Sequence, residues 1–170
     1  MNGRGAVLAA ALGVFAVTLP LAVDVPPRFI WNASASVPVG LYAVRPASQL
    51  QLGDLVVVRP PEAVATFLAE GGYLPRGVPL LKHILALPGQ TVCRFGSAVT
   101  VDGIAVDYAR ERDCHGRALL VWQGCRILVA DNVFLMNRQS ADSFDGRYFG
   151  PLPAASIVGR AEPLWTDRKE

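Results

Sequence analysis

The sequence predicts a mainly β protein: a curled antiparallel β-fold with one short soluble helix, preceded by an N-terminal transmembrane helix. Beyond Pro27, short apolar and β-branched runs alternate with Gly, Pro, Asn and Asp, as strands and turns do. Glycine (16 residues) and proline (13) are frequent throughout the chain, which fits a fold with many tight turns. The segment Val101–Ile104 contains the Asp-Gly pair that is typical of a tight hairpin.

The predicted transmembrane helix is the run from Gly5 to Val23, which contains no charged residue. About 20 apolar residues cross a bilayer as a helix, because unpaired backbone groups are costly in hydrocarbon. Arg4 precedes the run and Asp24 follows it, which favours a cytoplasmic N-terminus. A cleaved signal peptide and a buried core helix are the alternatives. We therefore expect residues 1–24 to be a membrane anchor and residues 25–170 to lie outside the cytoplasm.

The predicted elements of the body are mostly strands. A soluble helix is expected over Pro61–Glu70, because proline is favoured in a first turn and Gly71-Gly72 follows. The polar stretch Asn137–Tyr148 is expected to be a loop. Strands are predicted at Leu41–Val44, Asp54–Arg59, Leu80–Ala86, Thr91–Arg94, Ala98–Val101, Ala118–Val121 and Val133–Met136.

Charge and cysteine content narrow the class of function. The formal net charge is only +2 and the basic residues are scattered, so no nucleic-acid partner is expected. The three cysteines lack CxxC spacing, and His83 and His115 complete no zinc pattern with them, so no metal or other cofactor is expected. An oxidising compartment permits one disulfide. We favour Cys93–Cys125, because both lie in or beside strand-like runs whereas Cys114 lies in a polar segment.

Ser36 is a candidate nucleophile. It lies in the segment Asn32–Tyr42, where Pro38 and Gly40 favour a defined, non-helical backbone just after the serine. A nucleophile needs such a backbone, because its Oγ must be held in one place above an open cleft. Taken alone, most serines shortly before a proline are turn residues.

Lys82 is a candidate general base. It is embedded among aliphatic residues in the segment Leu80–Gly89. Removal from water disfavours the ammonium form and lowers a lysine pKa, by up to roughly 3–5 units in extreme cases. A neutral lysine can then accept the proton of a serine hydroxyl. Taken alone, such a lysine more often points outward from a half-buried sheet.

A third segment, Asp142–Gly150, can supply hydroxyl and carboxylate groups that orient the lysine. Taken alone, its Asp145 and Arg147 would be an ordinary solvated loop contact. The hypothesis of a Ser36/Lys82 dyad depends on the three segments occurring together in this order.

Together the motifs resemble those of the type I signal peptidases, which use a Ser/Lys dyad on a mostly β scaffold at the outer face of a membrane. The likeness spans about Asn32 to Trp165, nearly the whole body. Within that family, Pro38–Tyr42 and Asp142–Pro151 look most like the TraF-type peptidases of plasmid conjugation systems. The motifs are, in order, Ser36-x-Pro38-x-Gly40, Gly53-Asp54, Lys82-x-x-x-x-Leu87-Pro88-Gly89 and Asp145-x-Arg147-Tyr148-Phe149-Gly150.

The resemblance implies a role for each matching residue. Ser36 would attack the scissile carbonyl, with the lysine as its general base. Ser34 would help the backbone N–H of the nucleophile to build an oxyanion hole. Ser143 would contact the lysine, and Asp145, paired with Arg147, would support activity.

The resemblance also implies a membrane-anchored endopeptidase whose partners are membrane lipid and a membrane-embedded precursor peptide, the conjugative pilin subunit. TraF-type enzymes process this precursor, and in some systems they also join its ends. The expected location is the bacterial inner membrane, with a signal-peptidase-type catalytic domain (25–170) on the periplasmic side. Val37 and Met136–Arg138 depart from housekeeping signal peptidases, which remain an alternative, as does a non-catalytic membrane-tethered assembly factor. A self-cleaving repressor is disfavoured, because no DNA-binding segment precedes the motifs.

Overall fold

The computed structural model describes residues 3–22 and 27–167, and in it the chain is mainly β. The helices are α1 (Gly3–Ala22), α2 (Glu62–Glu70) and the one-turn α3 (Gly146–Phe149). The strands are β1 (Phe29–Asn32), β2 (Gly40–Arg45), β3 (Leu55–Val58), β4 (Leu80–Ala86), β5 (Thr91–Phe95), β6 (Ala98–Val101), β7 (Ile104–Tyr108), β8 (Gly124–Ile127), β9 (Asn132–Leu135), β10 (Leu152–Pro153) and β11 (Ile157–Thr166). Strand pairings within these described residues are antiparallel, so the predicted antiparallel β-fold is confirmed.

Seven strands of residues 27–167 form one sheet in the order β1-β2-β11-β3-β4-β9-β10. Strand β4 lies inside this sheet, paired with β3 on one side and with β9 on the other. Apolar clusters cover it: Ile84 packs with Leu135 in one cluster, and Leu81 packs with Val57 in another. The middle of β4, where Lys82 lies, is therefore held away from water.

Four further strands form a second sheet in the order β7-β6-β5-β8 within the same range. The hairpin predicted at Val101–Ile104 joins β6 to β7, and its Asp102 and Gly103 have φ angles of 49° and 80°. Two left-handed residues in a row are what a type I′ turn requires. A disulfide between Cys93 and Cys125 joins β5 to β8 at directly paired positions.

One large apolar cluster connects the two sheets. Val92 and Val99 of the second sheet contact a cluster that includes Phe134 from β9. Trp122, just before β8, and Tyr148, between β9 and β10, complete this core. Because Tyr148 belongs to α3, the core fixes this helical turn, and with it the segment that precedes it, beside β4 and β9.

Several sequence predictions are confirmed and two are wrong. Helix α2 begins directly after Pro61 and ends before Gly71, as predicted. Ala118–Val121 is not a strand; its backbone is bonded to isolated partners, including the Arg94 guanidinium at the Leu120 carbonyl. The predicted loop Asn137–Tyr148 ends in the helical turn α3, because the Asp145 carboxylate accepts from the Arg147 backbone N–H and caps it.

The predicted transmembrane run lies largely within α1, which spans Gly3–Ala22. Across residues 3–22 and 27–167, no helix has both the length and the apolarity that crossing a membrane requires. The structure therefore does not support the predicted transmembrane helix. Val23 and Asp24, the predicted end of the run, lie outside the described residues.

Candidate active site

The loop between β1 and β2 presents Ser36, and Asn32 organises this loop. Asn32 is buried, and its side-chain amide donates to the carbonyls of Ser34, Val37 and Pro38 at 2.8, 3.1 and 3.1 Å. Its Oδ1 accepts from the backbone N–H and the hydroxyl of Ser34 at 3.2 and 2.9 Å. Five hydrogen bonds from one side chain therefore hold the residues on both sides of the half-buried Ser36.

The end of this loop is fixed by close backbone packing. The Tyr42 hydroxyl donates to the Pro38 carbonyl at 2.6 Å. A Cβ at Gly40 would collide with the backbone of Trp165 on β11, so only glycine fits there. The Pro38 and Gly40 that the sequence analysis singled out therefore do restrict the backbone after the candidate nucleophile.

Ser34 and Ser36 are in direct contact. Their Oγ atoms are 3.1 Å apart, and either hydroxyl has the geometry to donate. Because the Ser34 hydroxyl has one hydrogen and gives it to Asn32 Oδ1, Ser36 is the donor to Ser34 in this arrangement. The Ser34 hydroxyl thus lies beside the Ser36 Oγ but donates to Asn32. It would have to turn away from Asn32 before it could donate to an oxyanion formed at Ser36.

Lys82 is almost completely buried, with 3% of its surface exposed. Its Nζ donates to the Ser143 Oγ at 2.8 Å. Burial lowers the pKa of Lys82 from its ordinary 10.5 to about 8; the Asp145 carboxylate works against this shift and Arg147 adds to it. The sequence predicted a lysine removed from water, and the family resemblance implied a contact with Ser143. The structure has both features.

Asp145 and Arg147 form a buried ion pair beside the lysine. The exposed fraction of Asp145 is 0% and that of Arg147 is 1%, and Arg147 Nη2 lies 2.9 Å from Asp145 Oδ2. The remaining guanidinium hydrogens reach Asp107 Oδ2 at 3.0 Å and the carbonyls of Ser140 and Ser143 at 2.8 and 3.1 Å. A buried charge needs such complete pairing. The same guanidinium thereby holds Ser143 against Lys82.

The two segments that carry the candidate dyad meet in the core. Val37 and Leu81, which adjoin Ser36 and Lys82 in sequence, pack in the same apolar cluster. Among the described residues, no hydrogen bond joins Lys82 to Ser36, since the Nζ is bonded to Ser143. A productive contact would therefore need Nζ to turn from Ser143 towards the serine.

Ser36 stands at the boundary of two cavities. One, of about 360 Å³, has His83, Leu52 and Arg138 among its lining residues. The other, of about 350 Å³, is lined by the segment 35–39 and also by Asp167. A peptide that runs past the serine hydroxyl can therefore occupy space on both sides of it.

Within the described parts of the chain, no group of His, Cys, Asp and Glu could hold a metal ion.

Sequence reasoning missed two buried polar residues near the site. Asn137 is 2% exposed and bonds to the backbone on both sides of Lys82. Arg94 is also 2% exposed, and its Nη1 donates to the Arg147 carbonyl at 2.6 Å. Asn137 follows an apolar run and starts a polar stretch, a position where asparagine is usually a turn residue. Arg94 sits in a strand pattern that predicts nothing about its partner.

The chain is similar to known proteins over most of its length. The family model described as signal peptidase, peptidase S26, matches residues 4–165. The conjugal transfer protein TraF of Agrobacterium fabrum is 35% identical over 147 residues, which cover 79% of this chain and 81% of the relative. The probable conjugal transfer protein TraF of Sinorhizobium fredii is 38% identical over 148 residues, 79% of this chain and 76% of the relative. The probable signal peptidase I-1 of a Synechocystis strain is 32% identical over 114 residues, 65% of this chain and 52% of that protein.

Proposed function

Because the chain belongs to the signal peptidase family, peptidase S26, and to its TraF type, we propose that this peptidase is a serine endopeptidase with Ser36 as nucleophile and Lys82 as general base. The observation that carries the proposal is the burial of the Lys82 side chain. Its burial brings the pKa to about 8, so that an appreciable fraction of the side chain is neutral near physiological pH. An ordinary lysine would have almost no neutral form there.

The reaction would proceed through an acyl-enzyme. Neutral Lys82 accepts the Ser36 proton as Oγ attacks the scissile carbonyl, and the resulting ammonium protonates the leaving amine. The Ser36 backbone N–H and the turned Ser34 hydroxyl stabilise the oxyanion. Lys82 then deprotonates the water or amine that releases the acyl group from Ser36.

The residues behind the lysine would set its reactivity. The Ser143 hydroxyl, 2.8 Å from Nζ, orients the amine of Lys82. Asp145 moderates the effect of burial on the Lys82 pKa, and Arg147 keeps Asp145 in place. We assign Asp145 this supporting role in activity, and we assign Arg147 and Ser143 the task of holding the site together.

We place the enzyme at the periplasmic face of the bacterial inner membrane. Phe29, Trp31 and Trp165 expose 61%, 56% and 56% of their surfaces, and the two indole rings stack at 5.7 Å. Tryptophan favours the membrane–water interface, and this group of exposed aromatic residues supports contact with lipid. The disulfide between Cys93 and Cys125 supports an oxidising compartment.

The proposed substrate is the membrane-embedded precursor of a conjugative pilin, because the relatives that match this chain over 81% and 76% of their own length are conjugal transfer proteins. A substrate held in the same membrane would reach Ser36 at a high effective concentration. Both hydrolysis and attack by the amino end of the trimmed peptide are compatible with the mechanism. The second route would yield a circular product.

Mass spectrometry of the pilin subunit, made with the wild-type enzyme or with Ser36→Ala, tests this proposal. We expect a trimmed peptide only with the active enzyme, and loss of one further water if its ends are joined. Gln123→Ala, a variant of an exposed residue that lines neither of the two cavities beside Ser36, is the control that should still process the precursor. Full processing by Ser36→Ala would favour a non-catalytic assembly factor. Rescue of cells depleted of their signal peptidase would favour a housekeeping enzyme.

A further inference from the structure

Asn137 occupies a position that β9 leaves open beside Lys82. Strand β9 ends at Leu135, which pairs with Ile84, and the Met136 N–H still donates to the His83 carbonyl at 2.9 Å. After that bond the backbone turns away from β4. The Asn137 side chain continues the hydrogen bonding of the edge that β9 no longer covers.

The amide of Asn137 bonds to the backbone on both sides of the lysine. Its Nδ2 donates to the Leu81 carbonyl at 3.0 Å, and its Oδ1 accepts from the His83 N–H at 3.1 Å. A side-chain amide has the same donor and acceptor as a peptide group, so it can take the place of a missing strand. The backbone of Lys82 is thereby fixed on the side away from β3.

The orientation of this amide follows from its partners. A flipped amide would place its NH₂ against the His83 N–H and its oxygen against the Leu81 carbonyl, which leaves two repelling contacts. Oδ1 also lies 3.1 Å from His83 Nδ1. Since Oδ1 can only accept, His83 Nδ1 carries a hydrogen. The Asn137 amide therefore makes three compatible bonds to residues on either side of Lys82.

The backbone of Asn137 is bonded to the charged pair behind the lysine. Its N–H donates to Asp145 Oδ2 at 3.1 Å, and the same oxygen accepts from Arg147 Nη2 at 2.9 Å. One buried residue therefore connects the strand that carries Lys82 to the carboxylate that influences it. This double connection would keep the distance between the lysine and Asp145 constant.

We infer that Asn137 is a positioning residue that fixes the backbone of Lys82 and thereby keeps its amine in the buried position beside Ser143. The inference rests on the proposed function for its effect on catalysis, but its effect on the lysine can be measured independently. Asn137 is neutral. The charged groups that act on Lys82 are Asp145 and Arg147 from the neighbouring segment, and the titratable side chain of His83 is adjacent to Lys82 on β4. A change of Asn137 that adds charge or frees the backbone of Lys82 should therefore move the titration of Lys82.

The sequence makes this titration simple to observe, because it contains two lysines, Lys82 and Lys169. The full-length protein, in detergent micelles and with lysine labelled by ¹³C at Cε, should give two titrating NMR signals. Lys82→Met removes one of them and so assigns it. We expect the Lys82 signal to titrate at about pH 8 in the wild-type protein, since burial lowers its pKa to about 8.

Three variants test the role of Asn137. Asn137→Asp keeps the size of the side chain and adds a carboxylate that stabilises the ammonium, so the Lys82 midpoint should rise by roughly one unit or more. Asn137→Ala should also raise it, because the freed backbone of β4 would let the amine move from its buried position towards water. Gln90→Ala is the matched control: the Gln90 amide likewise joins a backbone N–H, of Leu87, to a carboxylate, of Asp102, but it contacts no residue of the site. Its Lys82 titration should stay unchanged.

Catalysis gives the second readout, with an internally quenched peptide that spans the cleavage site of the pilin precursor. Misplacement of a catalytic group costs about 10²-fold in rate, so kcat of Asn137→Ala should fall by about that factor while KM stays nearly constant. The loss in Asn137→Asp should shrink as the pH rises, because the neutral lysine is restored. Thermal unfolding of each variant shows whether it is folded.

The inference is overturned if neither Asn137 variant moves the Lys82 midpoint. It is also overturned if the rate of both variants falls only in proportion to their loss of thermal stability. That is the behaviour expected of a purely structural change such as Gln90→Ala. If no form of the enzyme cleaves the peptide, the proposed function fails, and the Lys82 titration still decides the role of Asn137.

Discussion

Replacing Lys82 with methionine should stabilise the protein while it abolishes activity. A pKa lowered by burial from 10.5 to about 8 means that the folded state disfavours the ammonium form. Each pKa unit corresponds to about 1.4 kcal/mol, so below pH 8 the buried charge costs about 3 kcal/mol of folding free energy. Methionine fills a similar volume without a charge, but it gives up the bond to Ser143, which is worth about 1 kcal/mol. A gain of about 2 kcal/mol at pH 7 remains.

The pH dependence of this gain has a definite sign. Between pH 8 and 10.5 the unfolded wild-type chain binds more protons at Lys82 than the folded chain does, so wild-type stability rises with pH relative to the variant. The advantage of Lys82→Met should therefore be complete below pH 8 and should have disappeared by about pH 10.5. Urea unfolding of both proteins at a series of pH values measures it. A variant that is less stable than wild type at pH 7 would refute the reasoning, because it would mean that the ammonium is well compensated in the fold.

Three further predictions concern the surroundings of the dyad. Asp145→Asn breaks a fully buried ion pair and should cost about 3–5 kcal/mol in urea unfolding; Asp142→Asn breaks a solvent-exposed pair and should cost at most about 1 kcal/mol, and equal costs would contradict the burial argument. Ser34→Ala should lower kcat by about 10²-fold or more with little change in KM, if its hydroxyl serves the oxyanion; an unchanged kcat in peptide assays would remove Ser34 from the mechanism. Trp31→Ser combined with Trp165→Ser should weaken sedimentation with phospholipid vesicles while activity on a soluble peptide is retained; undiminished vesicle binding would exclude this surface.

Much of the fold was predictable because its signals are local. Helix α2 lies between a proline and a pair of glycines, and the β6–β7 hairpin has an Asp-Gly turn. Strand β11 was missed although it is ten residues long, because Gly159 and Pro163 interrupt its pattern. Its pairing with β2 and β3 is remote in sequence, and irregular register accommodates the interruptions. Such pairing is decided by tertiary packing and leaves little trace in a short window of sequence.

In the candidate site, too, features with a local sequence signal were predictable and features that depend on contacts remote in sequence were not. The unusual setting of Lys82 was predictable, because a charged residue in an apolar strand is rare, and the restricted backbone after Ser36 was predictable from the proline and glycine that follow it. The part played by Asn137 was not predictable, since its three side-chain bonds reach residues more than fifty positions away. The polar stretch from Asn137 looked like a surface loop. Its second part, from Ser143, is instead buried, and the Arg147 guanidinium bonds to the carbonyls of Ser140 and Ser143.

The central claim is that Ser36 attacks the substrate and that Lys82 makes this attack possible. Acid-quenched single turnover with a peptide ester that has alanine on the acyl side, followed by peptide mapping by mass spectrometry, tests it directly. We predict an acyl group on Ser36 in the wild-type enzyme and none in Ser36→Ala or Lys82→Met. Acylation of another residue, or turnover that persists in Ser36→Ala, would contradict it.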